Sequence, residues 1–185
     1  MRIIAGEWRG RQLKAPTWEG LRPTSDRLRE TLFNVLGPSI RGARVLDGYA
    51  GTGAIGIEAL SRGAAHVTFV ERDARACRLI EQNLAALGAE GDTRYAIIRA
   101  GFADAVARLS GGEFDLVILD PPYAEDAAAQ ALESAARVAQ QETRVIVEHA
   151  TRHAPPAEHA GLERRRTLTA GDSAMSIFRV KGASA

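Results

Sequence analysis

Between residues 43 and 71 the chain writes a strand, a glycine-rich loop, a helix and a second strand, and few folds accept that order. Ala43-Arg44-Val45-Leu46-Asp47 is a short apolar run ending in an acid. Gly48-Tyr49-Ala50-Gly51-Thr52-Gly53-Ala54-Ile55-Gly56 follows as a loop that runs into a helix through Leu60, closed near Gly63. His66-Val67-Thr68-Phe69-Val70-Glu71 is then a second buried strand. The alternation continues. Asp73 caps a helix whose inner face is Cys77, Ile80, Leu84 and Leu87, and Tyr95–Ala100 is a third strand before a short helix through Leu109. Phe114–Leu119 is a fourth strand, an Ala-rich helix spans 125–139, and Arg144–Glu148 is a fifth strand. Strands alternating with helices predict a doubly wound, mostly parallel α/β sheet. After Pro155-Pro156 the pattern changes: Leu162–Leu168 and Met175–Val180 flank a Gly171-Asp172 turn and predict an antiparallel hairpin at one sheet edge.

In open α/β sheets ligands sit beyond the carboxyl ends of the strands. Gly51-Thr52-Gly53-Ala54-Ile55-Gly56 matches the dinucleotide fingerprint, with Glu71 20 residues after Gly51. Asp47 argues against a pyrophosphate. It stands just before the loop, where an anion would be repelled. S-adenosyl-L-methionine carries an ammonium and a sulfonium, and an acid within ~5 Å of such a cation gains roughly 3 kcal/mol at an effective dielectric constant of 20 before desolvation. Gly51 and Gly53 let the backbone approach the ligand closely, beside Ala50, and Glu71 can accept from two ribose hydroxyls. Arg72 and Thr24 complete the expected cofactor surround. The loop after the third strand should border the adenine, where Phe102 and Asp104 are both candidates.

The fourth strand ends in Asp120-Pro121-Pro122-Tyr123. This turn suits methylation of an exocyclic nucleobase nitrogen, a poor nucleophile because its lone pair is delocalised. The Asp120 carboxylate and the Pro121 carbonyl can each accept one N–H and hold the lone pair toward a methyl donor. Pro121 and Pro122 stiffen the frame. Tyr123 can stack on the face of an extruded base. Asp120 also borders the cofactor. Without this chemistry the four residues are a Pro-Pro turn with a surface tyrosine.

Charge is unevenly spread. Residues 1–44 hold nine Lys/Arg against four Asp/Glu, a net +5, leaving −4 on the rest of a chain whose net charge is +1. Residues 1–23, with Gly6, Gly10, Pro16, Gly20 and Pro23, read as a small hairpin arm, and 24–185 as the α/β domain. Arg9, Arg11, Arg22 and Arg27 are candidate phosphate contacts. Trp8 suits either stacking on RNA or pinning the arm to the body. A helix should begin at Thr24 or Ser25, bury Leu28, Leu32, Val35 and Leu36, and end at Gly37-Pro38. Arg27 and Arg29 near its start call for a nearby anion, or for ion pairing with Asp26 or Glu30.

A single cysteine, Cys77, allows no internal disulfide, and it falls on a packing face. No apolar run is long enough to cross a bilayer and Met1–Gly6 has no signal-peptide core, so a cytoplasmic protein is expected. His66, His149, His153 and His159 make no metal constellation, and no metal is expected.

The sequence resembles the RsmD-type methyltransferases. The resemblance lies in Arg2–Gly6 with Arg9-Gly10-Arg11, in Leu21–Asn34, in Ala50–Ala64, in Asp120-Pro121-Pro122-Tyr123 and in Gly171–Ile177, and covers nearly the whole chain. It implies a seven-stranded, Rossmann-like class I methyltransferase fold with its last strand pair antiparallel. It also implies S-adenosyl-L-methionine as donor and a guanine N2 of 16S ribosomal RNA, within a partly assembled small subunit, as substrate. The family usually carries a bulky apolar residue after the first-strand acid. Here it is Gly48, which should loosen the loop slightly, and the third-strand loop lacks a clear acid. Methylation of adenine N6 or of another RNA, and a non-catalytic RNA- or nucleotide-binding module, are the alternatives.

Overall fold

The computed structural model describes residues 1–18, 26–109, 114–122, 124 and 126–182. The sheet-forming strands are β1 (Arg44–Gly48), β2 (His66–Glu71), β3 (Tyr95–Arg99), β4 (Leu116–Leu119), β5 (Arg144–Ala150), β6 (Glu158–His159), β7 (Leu162–Ala170) and β8 (Ser173–Val180). The helices are α1 (Asp26–Leu36), α2 (Ala54–Ser61), α3 (Ala74–Ala86), α4 (Phe102–Val106) and α5 (Ala127–Ala136). The sheet runs β3-β2-β1-β4-β5-β8-β7-β6. β1 to β5 are parallel, and β8 joins β5 antiparallel. The sheet therefore has eight strands among the described residues, not seven. The addition is the two-residue β6, which pairs Glu158 and His159 with Glu163 and Leu162 at the outer edge. Two residues carry no readable alternation, so this strand is invisible to periodicity.

Side-chain alternation sorts the core into two layers. Val45, Leu116, Ile118, Ile146 and Ile177 face a cluster with α1, α2 and α3. Leu46, Val117, Leu119, Val145, Val147 and Phe178 face one with α4 and α5. Burial on both faces explains why β4 reads as an unbroken apolar run. α1 stops at Leu36, and Gly37-Pro38 opens a 3-10 turn over Gly37–Ile40. Asp73 caps α3 through its side chain, which accepts from Arg75 N–H at 2.7 Å. No helix among the described residues is long and apolar enough to cross a membrane.

The N-terminal segment is a small hairpin. Ile3 N–H bonds to Arg11 O at 3.0 Å, Gly10 N–H to Ile3 O at 2.9 Å and Leu13 N–H to Met1 O at 3.1 Å. Ile3, Trp8 and Leu13 are buried in the α1–α3 layer. What holds it is Glu58, a carboxylate wholly inside α2. Its two oxygens accept Ile4 N–H at 2.8 Å and Ala5 N–H at 3.0 Å, and Arg62 Nε lies 2.7 Å away. Gly6 comes so close to the end of α2 that a Cβ there would lie 1.8 Å from Ser61 O. Trp8 is 6% exposed, its backbone N–H donates to Ser61 Oγ at 3.0 Å, and Arg94 lies over its ring. In this position the indole pins the arm.

Arg29 takes the ion-pairing reading. It is fully buried; Nη2 bonds to Asp26 at 3.0 Å and to Arg2 O at 2.5 Å. Among the described residues its Nε and Nη1 have no partner, and burial, opposed by Asp26 and Glu58, pulls its pKa down.

Candidate active site

β1 is flanked by β2 on one side and β4 on the other, so the strand order reverses there and a crevice opens at its carboxyl end. Register sets the rims level: Gly48 lies opposite both Val70 and Leu119. Asp47, Glu71 and Asp120 therefore reach one edge from three adjacent strands. Asp120 N–H continues the ladder toward Gly48 O at 3.4 Å, which ties the Pro-Pro turn to the start of the glycine loop. Pro121 is buried and Pro122 exposed. Tyr123 lies outside the described residues, as do Thr24 and Arg22.

The loop is held open by backbone geometry. Gly51 and Gly53 have φ of 56° and 76°. Glycine adopts that region without strain, whereas Tyr49 is held in it at φ 61° with a side chain, at a conformational cost. Ala50 N–H bonds to Val70 O at 2.9 Å. Glu71 fastens both sides of the crevice, one oxygen accepting Gly51 N–H at 2.9 Å and the other Asp73 N–H at 2.8 Å. A carboxylate has about four acceptor directions, so hydroxyls can still be received. Gly56 lets α2 lie on β2, since a Cβ there would sit 2.2 Å from the Phe69 ring.

Asp47 is 3% exposed, and one of its oxygens accepts Gly56 N–H at 2.9 Å. Burial pushes its carboxyl up to about 7; the Gly56 bond opposes the rise and the Glu71 charge adds to it. Because the folded pKa lies above the ordinary 3.8, the native state keeps a proton that the unfolded chain loses. Stability from this group is full below the unfolded pKa and is lost as pH rises to about 7. That loss is on the order of 4 kcal/mol. Asp47→Asn should therefore flatten the decline. Urea titrations of the ligand-free protein from pH 4 to 8 will reveal it, and parallel curves for both proteins would refute the assignment.

Gly48 does not loosen the loop. Its missing side chain is replaced by neighbours: a Cβ would meet Leu119 Cδ2 and Phe102 Cε2, each at 2.7 Å. Phe102 is 4% exposed, at the start of α4, with its ring tilted against Tyr49 at 5.3 Å between centroids. Its ring is spent on filling the space over Gly48. Asp104 is exposed in the first turn of α4, with its carboxylate turned toward Gly101. Arg72 is exposed just past Glu71, close enough for its charge to act on Tyr49. Cys77 is buried behind this edge, its Sγ 3.5 Å from Glu71 O, and burial raises its pKa.

The candidate phosphate contacts differ in their surroundings. Arg9 and Arg27 are exposed. Arg11 is exposed too, but its Nη2 bonds to Ala86 O, the last residue of α3, at 2.6 Å. That is a helix C-terminus, which favours a cation. His149 is buried on β5, bonded through Nε2 to Ser176 Oγ at 2.9 Å, and burial lowers its pKa. Among the described residues no group of three His, Cys, Asp or Glu could hold a metal.

Three residues around the site escaped the sequence: Tyr49, Glu58 and Asn83. Glu58 alone left a trace, as one acid in the otherwise uncharged helix Ala54–Ser61. A charge in such a run signals a buried partner.

Comparison with known proteins agrees with this architecture. A family profile described as "Conserved hypothetical protein 95" matches residues 1–179. Ribosomal RNA small subunit methyltransferase D of Haemophilus influenzae is 44% identical over 132 residues, 71% of this chain and 68% of that protein. The Escherichia coli protein of the same name is 46% identical over 123 residues, 66% of this chain and 60% of its own length. This chain thus spans less than two thirds of that relative. The solved structure "Putative methyltransferase yhhF from Escherichia coli" superposes with a TM-score of 0.84 over 97% of both chains, at 32% identity. The fold is that of the Rossmann-like class I methyltransferases, and the chain belongs to the conserved hypothetical protein 95 family, that of ribosomal RNA small subunit methyltransferase D.

Proposed function

We propose that this protein transfers a methyl group from S-adenosyl-L-methionine to the exocyclic N2 of a guanine in 16S ribosomal RNA, within a small subunit or its assembly intermediate. The observation that carries the reading is the meeting of Asp120-Pro121 with the Asp47–Gly53 loop at one strand edge. Relatives named for small-subunit ribosomal RNA support the substrate.

The residues fit the donor. Burial, with the Glu71 charge adding to it, holds a proton on Asp47 near neutral pH, and a cationic ligand beside the two acids favours the carboxylate. The glycine loop adds a surface without side chains at Gly51 and Gly53. The donor supplies an electrophilic methyl on a sulfonium. This chain's groups do the positioning. Asp120 accepts one N–H of the amino group and the Pro121 carbonyl the other, leaving the lone pair in line for direct transfer with no covalent enzyme intermediate. Tyr123 stacks on the base, and Arg9, Arg11, Arg22 and Arg27 contact phosphates.

Cation binding beside Asp47 must lower its pKa, so a proton leaves on binding. Calorimetry at pH 6.5 in buffers of different ionisation enthalpy should therefore show proton release. It should be larger for S-adenosylmethionine than for S-adenosylhomocysteine, which lacks the sulfonium charge. Glu71→Ala should weaken either ligand by about 1.5–3 kcal/mol. Binding of NAD with no response to these two ligands would overturn the cofactor reading. Substrate is tested by incubating undermethylated 30S particles, naked 16S RNA and DNA with radiolabelled donor and mapping the product. Label in guanine N2 of the particles is expected. Label in adenine N6 or in DNA points to the rival methylation, and donor binding without label to the binding module.

A further inference from the structure

Outside the reacting groups, one side chain joins two parts of the molecule that otherwise serve different purposes. Asn83, near the end of α3, is 1% exposed. Its Oδ1 accepts Lys14 N–H at 2.8 Å, and its Nδ2 lies 3.4 Å from Lys14 O. The same Nδ2 lies 3.3 Å from Thr52 O. A carboxamide has one carbonyl and two N–H groups, so it can pair with both backbone groups of one residue and still donate once more. Here the pair goes to the N-terminal arm and the remaining donor to the glycine loop.

Two more contacts fall on the same seam. The Thr52 hydroxyl is 3.8 Å from the Met1 sulfur, a second link between loop and arm. Ile80, one turn before Asn83, supports the loop from below: a Cβ on Gly53 would lie 3.0 Å from Ile80 Cγ1. One face of α3 thus touches the loop at Thr52 and Gly53 and the arm at Lys14.

We infer that Asn83 is a positioning residue that couples the N-terminal arm to the cofactor loop, so that each is tightened by the other's ligand. This rests on the proposed function for the identity of the loop's ligand. When the arm lifts, Asn83 loses its Lys14 bonds inside an apolar layer, and Met1 leaves Thr52. A ligand that orders Gly51–Gly53 fixes the Thr52 carbonyl, holds the amide in the orientation that receives Lys14, and makes lifting costlier. By linkage, anything that holds the arm down raises affinity at the loop by the same factor.

Hydrogen exchange of the full chain, with and without S-adenosylhomocysteine, tests the coupling. The hairpin amides of Ile3, Gly10, Leu13 and Lys14 lie on the arm, not in the glycine loop. They should nevertheless exchange at least about fivefold more slowly with ligand, the low end of ordinary allosteric coupling. Asn83→Asp at pH 8 keeps an acceptor for Lys14 N–H but sets a carboxylate oxygen against both Lys14 O and Thr52 O. Its ligand-free arm should therefore exchange faster than the wild-type arm, calorimetry should still detect ligand, and the ligand's effect on the arm should be gone. Arm amides that ignore the ligand in the wild type while Gly51 and Gly53 respond would overturn the coupling. So would an Asn83→Asp arm that responds in full. If neither loop nor arm responds and calorimetry detects no binding, the cofactor reading falls and the inference with it.

Discussion

Asp120→Ala should lower single-turnover methyl transfer by about 10²–10⁴-fold, the range for a positioned proton acceptor, while cofactor affinity moves little. The amino nitrogen loses its conjugation with the ring as it is attacked. Its N–H groups become more acidic, so the bond to Asp120 is strongest in the transition state and acts on turnover. Asp120→Asn separates two roles. Asparagine keeps one acceptor oxygen but takes no proton, so retained activity assigns the residue to orientation and lost activity to proton removal. The turn's aromatic end is checked alongside: Tyr123→Ala should cost about 1–3 kcal/mol of RNA binding, and Tyr123→Phe almost nothing, because the ring face is what is used. An Asp120→Ala protein that methylates at the wild-type rate would reduce the tetrapeptide to a structural turn.

The largest effect on stability is expected at Glu58. Its carboxylate is 1% exposed and serves Ile4 N–H, Ala5 N–H and Arg62 together. Glu58→Ala would strand two arm amides and leave Arg62 and the buried Arg29 without their nearest shared anion. Removing one member of a buried charge group costs about 3–5 kcal/mol. Glu58→Gln should recover only part, since its amide offers one acceptor oxygen to three N–H donors and sets its own NH2 donor against them. Urea denaturation measures both. A loss under about 1 kcal/mol for Glu58→Ala would mean that the arm is held by the burial of Ile3, Trp8 and Leu13 with the Ser61 and Asn83 bonds.

The parts of the fold that were legible follow a single periodicity. β2 begins and ends at the residues the alternation predicts, and the Asp73 cap and the Gly171-Asp172 turn fall where local chemistry demands. The crevice was legible because strand order fixes which termini meet, and Asp47, Glu71 and Asp120 all precede loops. Contacts between distant segments were not. Asn83 sits on a helix whose sequence gives no sign that an arm lies over it, and Glu58 signals a buried partner without saying which. Arg29 looked like an anion receptor because the carbonyl it meets, Arg2 O, is 27 residues away in the chain. Gly48 looked permissive for the same reason, its space being filled by Phe102 and Leu119 from other elements.

The position of β8 bears on how this chain emerges from the ribosome. β8 is the last strand in sequence, yet it lies inside the sheet, between β5 and β7. During synthesis the backbone groups of Arg144–Ala150 that β8 will pair with stay open until residue 173 and beyond have been made. The antiparallel side of the sheet therefore closes only after β1 to β7 have all been translated. α1, which rests on β7 and β8, waits for the same event although it is made early. Completion of this fold thus waits for β8, and until then the nascent protein presents an open apolar strand edge that chaperones are suited to shield.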